Sequence, residues 1–166
     1  MMKGGSVYGD YKVANERRKG YEESLRQHNL PIKAELIYYA DYEINAGYEV
    51  CRYFMEECKT KPIAIVAAND IMAIGAIGYL REKEYRIPQD VAVAGFDDIY
   101  LSKIITPNLT TYKQPLNTIA EQVIKMLVDK INFPNSEEKQ VVIDGKLVIR
   151  GSTDAAKKDK MFPITV

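Results

Sequence analysis

The stretch Val91-Ala-Val-Ala-Gly-Phe-Asp97-Asp98 decides the fold. Four small or β-branched apolar residues run without polar alternation into a glycine, an aromatic ring and two carboxylates. A strand with one solvated face alternates, whereas a continuous apolar run predicts a strand buried on both faces, as in the middle of a parallel sheet. The two acids then stand just past its carboxyl end, the edge at which open α/β sheets hold their ligands. These eight residues therefore predict both a fold class and a candidate site.

Working back toward the amino terminus, Pro62 opens a second apolar strand, Ile63-Ala-Ile-Val-Ala-Ala68. Asn69-Asp70 then begins a helix to about Glu84. Its Ile71–Ile77 stretch is apolar nearly all round, which predicts burial or a subunit interface. A helix over 44–58 places Gly47, Val50, Cys51, Phe54 and Cys58 on one face. Before it, Ala34–Tyr39 reads as a short strand, followed by the loop Ala40-Asp-Tyr-Glu43. A helix over 13–28 aligns Arg17, Tyr21, Ser24, Leu25 and His28 at helical spacing. Ser6–Tyr11 reads as the tail of a strand-to-helix loop whose strand has been cut off.

Working forward, 97–108 reads as an irregular loop with a helical turn near 99–104, and 109–114 as a strand ended by Pro115. A helix over 117–131 opens on Thr118-Ile-Ala-Glu121, which matches a capping box. Ala120, Val123, Ile124, Leu127, Val128 and Ile131 form its apolar stripe. A polar loop over 134–139 leads to two short strands, 140–144 and 147–150, around Gly145-Lys146, and the tail from Asp154 reads as frayed. Helix and strand alternating in this way predict an open, doubly wound parallel α/β sheet with right-handed crossovers and helices on both faces.

The chain has 166 residues, 46% hydrophobic and 28% charged, with Lys+Arg and Asp+Glu equal at 23 each. This is globular composition. Zero net charge argues against nucleic-acid binding by this chain itself, since phosphate binding needs a basic face. The longest apolar runs are too short to span a bilayer. Met1-Met-Lys-Gly-Gly5 lacks the apolar core of a secretory signal, so a cytoplasmic compartment is expected. Cys51 and Cys58, seven residues apart in one helix, lie roughly 10 Å from each other, too far for a disulfide. No CxxC or His/Cys cluster occurs, and both read as buried small hydrophobes.

Five segments, in order, resemble those of lactose-repressor-like (LacI/GalR) transcription regulators. Glu16-Arg17-Arg18-Lys19-Gly20-Tyr21 is similar to their "ERxxGY/F". The run from Pro62 through Asn69-Asp70 to Gly75 resembles "PTAIxxxNDxMAxG". Arg86-Ile-Pro88 through Asp98 resembles "xIPxDVxVxGFDD". Thr106-Pro107 through Gln114-Pro115 resembles "TPxLTTxxQP", and Leu147 through Thr153 resembles "LxxRxST". The resemblance implies one subdomain of a periplasmic-binding-protein-like fold whose two α/β subdomains close over a small ligand, a sugar or related polyol. It implies a homodimer that reaches DNA only through a helix-turn-helix headpiece, which this chain does not contain. Residues 5–115 would be the carboxyl-terminal effector-binding subdomain, 116–139 a returning segment of the other subdomain, 140–153 closing strands and 154–166 a tail. The stripe on the 117–131 helix, without its partner sheet, is then expected to pack on another chain or fold back on its own subdomain.

Carried over by position, Arg17, Tyr42, Asn69 and Asp97 resemble effector contacts, and Gln114 stands at the crossover beside them. Their chemistry suits a polyol. Arginine donates a fork of N–H groups, aspartate accepts from hydroxyls, an amide does both, and an aromatic face packs on the C–H side of a sugar ring. Each residue also has a plainer role: a snorkelling stem for Arg17, a helix N-cap for Asn69, a turn cap for Asp97, a surface ring for Tyr42. Asp98 reads as a structural or solvated neighbour. An enzyme is not expected, since GxSxG, P-loop and GxGxxG signatures are absent and the acid pair stands alone on one strand. No cofactor or metal is expected. The alternatives are a fragment of a periplasmic-type sugar-binding transport protein and an interaction module without ligand.

Overall fold

The computed structural model describes residues 2–4, 11–58, 63–137 and 140–153. Strand β1 is Met2–Gly4, helix α1 Tyr11–Gln27, β2 Tyr38–Ala40, α2 Ile44–Glu56, β3 Ala64–Val66, α3 Asp70–Glu82, β4 Ala92–Asp97, β5 Thr110–Lys113, α4 Leu116–Asn132 and β6 Lys146–Val148. β1 and β2 pair in parallel, and β3, β4, β5 and β6 form a second sheet in that order. The β3–β4 and β4–β5 pairs are parallel and only the β5–β6 pair is antiparallel. The apolar octet is thus a central strand of a parallel-dominated sheet, and the carboxyl ends of β3, β4 and β5 share one edge.

The core lies between α2, α3 and the sheet, built from Val50, Phe54, Ile65, Met72, Leu80, Val93 and Leu109 among others. Helix α3 is buried on nearly every side, as its apolar sequence predicts. Its contact with α2 requires two glycines. A Cβ on Gly47 would stand 2.1 Å from the Met72 carbonyl oxygen, and one on Gly75 2.0 Å from that of Ile44. Cys51 and Cys58 are free and buried, and burial pushes the Cys51 thiol up to about 12.

Several expectations are corrected. A strand does precede the first helix: Met2–Gly4 pairs with Tyr38–Ala40. The first half of the expected strand at 34–39 is a 3-10 turn, Ala34–Leu36, because Leu36 and Ile37 N–H groups donate locally to Lys33 and Ala34 carbonyls. On α1, Ser24 and His28 are exposed and Ala14 is the buried residue, so the packed face centres on 14, 17, 18 and 21. Residues 140–144 form no strand. Helix α4 begins at Leu116 with Pro115 at its N-cap, so Thr118 falls inside the first turn and the capping box does not form. Proline's fixed φ suits it to a helix start. The 99–104 turn appears as a 3-10 segment at Tyr100–Lys103. The expected frayed tail, the Pro62 strand opening and the Ser6–Asp10 loop lie outside the described residues.

No residue of α4 is buried. Its stripe does not fold back on the described residues: Leu127 is 54% and Ile131 67% exposed. A shallow groove of about 260 Å³ runs between it and Val141 and Ile143. No helix among the described residues is long and apolar enough to cross a membrane.

Candidate functional site

The carboxyl edge of β3–β5 gathers four of the five expected residues. Asp97 closes β4 with φ 116°, and Asp98 follows at φ 56°. Two consecutive non-glycine residues at positive φ store backbone strain, which Asp tolerates better than most residues. The turn they make separates the two carboxylates.

Asp97 faces outward, its side chain 30% exposed and 3.6 Å from the Arg17 guanidinium. Gln114, just past β5, donates its Nε2–H to Asp97 Oδ1 at 2.6 Å. Arg17 donates to the Ala68 carbonyl at 2.5 Å, at the end of β3. Its guanidinium lies 4.0 Å from the centre of the Phe96 ring, and Phe96 stacks on Tyr112, its register partner in β5, at 4.9 Å. Arg17 is therefore not a snorkelling stem. The aromatic pair and the Ala68 carbonyl fix the plane and direction of its donor fork.

Asn69 takes the plainer role, since its Oδ1 accepts from Met72 N–H at 2.8 Å as the N-cap of α3. That leaves its Nδ2–H group without a described partner. Asp97 Oδ2 likewise accepts from no described residue. The open donor and acceptor stand at the ends of adjacent parallel strands, where a ligand hydroxyl can both accept and donate.

Tyr42 does not join this cluster. It packs against the hydrophobic core, and its buried hydroxyl has no hydrogen-bond partner among the described residues.

Asp98 is structural. Its side chain is 3% exposed, and Arg150 donates to it at 2.5 Å. The second hidden carboxylate is Asp70, fully buried at the start of α3. It accepts from the Thr111 hydroxyl at 2.6 Å and Ile99 N–H at 2.9 Å. Desolvation raises its pKa above the ordinary carboxylate value, against the pull of those hydrogen bonds. Gly95 makes room for it, because a Cβ there would lie 2.3 Å from Asp70 Oδ1. The sequence reading missed Phe96, Tyr112 and Asp70. Two aromatics placed on what become neighbouring strands were the available signal for the first two.

The sequence matches the periplasmic binding protein-like domain family over residues 5–153. The chain belongs to that family. It is 33% identical over 140 residues to the HTH-type transcriptional repressor PurR of Mannheimia succiniciproducens, covering 84% of this chain and 42% of the repressor. A LacI-family regulatory protein from Chloroflexus aggregans superposes with a TM-score of 0.82 at 28% identity, over 92% of this chain and 54% of that one. The transcriptional regulator CelR in complex with cellobiose gives 0.82 at 28% identity, over 91% and 45%. The chain spans about half the length of the proteins it matches.

The closing "LxxRxST" segment gains a physical reason in this periplasmic-binding-protein-like chain. Arg150 neutralises Asp98 and also donates to the Leu109 carbonyl at 2.8 Å. The Ser152 hydroxyl donates to the Val93 carbonyl at 2.6 Å and accepts from Thr110 N–H at 2.8 Å. The segment thus stitches β4 to β5 directly beneath the candidate site.

Proposed function

We propose that this chain is the effector-binding region of a LacI-type transcriptional regulator and that its effector is a sugar or related polyol. The convergence of Arg17, Asp97 and Gln114 at one sheet edge, with Asp97 Oδ2 and Asn69 Nδ2 left open, carries the reading. Asp97 accepts from ligand hydroxyls, Asn69 donates, Arg17 donates from a plane fixed by Phe96, and Gln114 orients Asp97. Tyr42 completes the site only by turning its ring out of the core.

The region works by differential affinity. Ligand favours one arrangement of two subdomains and thereby biases DNA binding by a headpiece outside this chain. Residues 116–139 belong to the second subdomain, the intact regulator is a cytoplasmic homodimer, and no catalytic step is involved. The relatives named above are transcription regulators, which supports this. Isothermal titration of the chain with a panel of neutral sugars tests the reading. Binding on the order of millimolar, near −4 kcal/mol, is expected, and Asp97→Asn should abolish it. Sugar binding that Asp97→Asn leaves intact overturns the site, and no binding by any sugar overturns the function.

A further inference from the structure

A cationic cleft lies beside the polyol cluster and plays no part in it. Lys113 and Lys146 are partners across the antiparallel β5–β6 pair. Directly opposed residues project from the same face, and like charges there repel. Neither lysine has an acid of its own. Lys113 reaches Asp98 at 3.9 Å and shares it with Arg150 at 2.5 Å and Lys103 at 3.8 Å. Lys146 has no ion pair among the described residues. Asp144 is the other carboxylate at the cleft. Around Asp98 and the cleft, Lys103, Lys113, Lys146 and Arg150 stand with Asp98 and Asp144, and Asp97 is the register partner of Lys113, so four cations meet three carboxylates in a chain whose overall charge is zero.

The lysine pair opens onto a cavity of about 180 Å³ lined by Lys113, Pro115, Asp144, Gly145 and Lys146. A water occupies about 30 Å³, so the cavity has room for a polyatomic group. The turn that presents Lys146 is fixed. Gly145 N–H donates to the Tyr112 hydroxyl at 2.7 Å, and a Cβ on Gly145 would lie 2.4 Å from the Lys113 carbonyl oxygen. The cleft also adjoins the polyol cluster: Lys113 is the register partner of Asp97 and directly precedes Gln114.

We propose that Lys113 and Lys146 form an anion subsite and that the effector is an anionic sugar, its ring at Asp97 and its phosphate or carboxylate between the two lysines. This rests on the polyol reading above and narrows it. An anion placed there relieves the repulsion between the lysines and forms charge-assisted hydrogen bonds to both.

The test titrates the full chain with glucose, glucose 6-phosphate, glucuronate and inorganic phosphate, for wild type, Lys146→Gln and Asp97→Asn. Lys146→Gln removes one member of a repelling pair, so it should fold at least as stably as wild type. The expected result is that the charged sugars bind wild type on the order of tenfold more tightly than glucose, and that Lys146→Gln removes this preference while glucose binding stays unchanged. Asp97→Asn should weaken all three sugars but not inorganic phosphate. The two charged sugars tell a phosphate preference from a carboxylate one. Equal affinity for charged and neutral sugars, or a preference that survives Lys146→Gln, overturns the subsite while the polyol reading stands. Phosphate binding with no sugar binding overturns the polyol reading and its anionic-sugar refinement, and no binding at all overturns both.

Discussion

Replacing Arg150 with methionine isolates the energetics beneath the site. Methionine keeps much of the stem's packing and deletes the charge. Asp98, 3% exposed, then loses the one cation in hydrogen-bond contact with it, while Lys103 and Lys113 remain at 3.8 and 3.9 Å. The Leu109 carbonyl loses a donor as well. Breaking a buried pair by removing one partner costs about 3–5 kcal/mol. The two lysines place this case at the lower end, about 3 kcal/mol. With a urea m-value of about 2 kcal/mol/M, the unfolding midpoint should fall by roughly 1.5 M. Asp98→Asn in the Arg150→Met background removes the stranded charge, so the double variant should lose clearly less than the two single losses combined. Lys103→Met, at a half-exposed and distant pair, should stay within about 0.5 kcal/mol of wild type. A midpoint shift below about 0.5 M for Arg150→Met, or strict additivity in the cycle, would refute the view that Asp98 is held as a buried ion pair.

Asp70 supplies a pH signature. Its folded pKa lies above the usual 3.8, so its contribution to stability is fully present below that value and is lost as pH rises through the raised folded one. The stability of wild type relative to Asp70→Asn should therefore decline as pH climbs, in paired urea titrations from about pH 3 to 7; a gap that widens contradicts the assignment. Gly75→Ala drives a Cβ to 2.0 Å from a backbone oxygen, so α2 and α3 must part, and thermal unfolding should report a loss of about 3 kcal/mol. A variant as stable as wild type would show that the helices do not meet there. Leu127→Glu should change stability by no more than about 0.5 kcal/mol, because the side chain is half exposed, yet lower the binding of a dye that reports apolar surface. A large destabilisation would mean that the α4 stripe is covered in solution.

The sequence was most informative where the physics is local. Apolar runs marked β3 and β4, helical spacing marked α2, a helix start with an apolar run marked α3, and Asn69 at that start marked a cap. It was least informative where short elements compete. Residues 34–36 lead into the strand-forming Ile37–Tyr39 but satisfy their backbone in a tight turn, and 140–144 have strand composition but find no partner strand among the described residues. The site divides in the same way. Asp97, Asn69, Arg17 and Gln114 were picked out by the family resemblance, with their chemistry and their places near strand ends in support. Asp98 read as a structural or solvated neighbour of Asp97, but the cause was not encoded nearby, since it is Arg150, more than fifty positions away. Separation also hid Asp70, whose partners Ile99 and Thr111 lie 29 and 41 positions away. Tyr42 was carried over with them and supported by its loop after the 34–39 strand, yet the core claimed its ring.

The stitch made by Ser152 has a consequence for how the molecule is born. Its bonds to Val93, Asn108 and Thr110 join residues separated by more than forty positions. Closing such loops late is slow. On the ribosome, synthesis proceeds at about 5–20 residues per second, so β4 and β5 wait several seconds before Ser152 is even made. During that interval Asp98 at the end of β4 lacks its arginine and the sheet lacks its last fastening. A chain stalled or cleaved before Arg150 should therefore be a chaperone client, and a preferred target for proteolysis, even with every residue of the candidate site already translated.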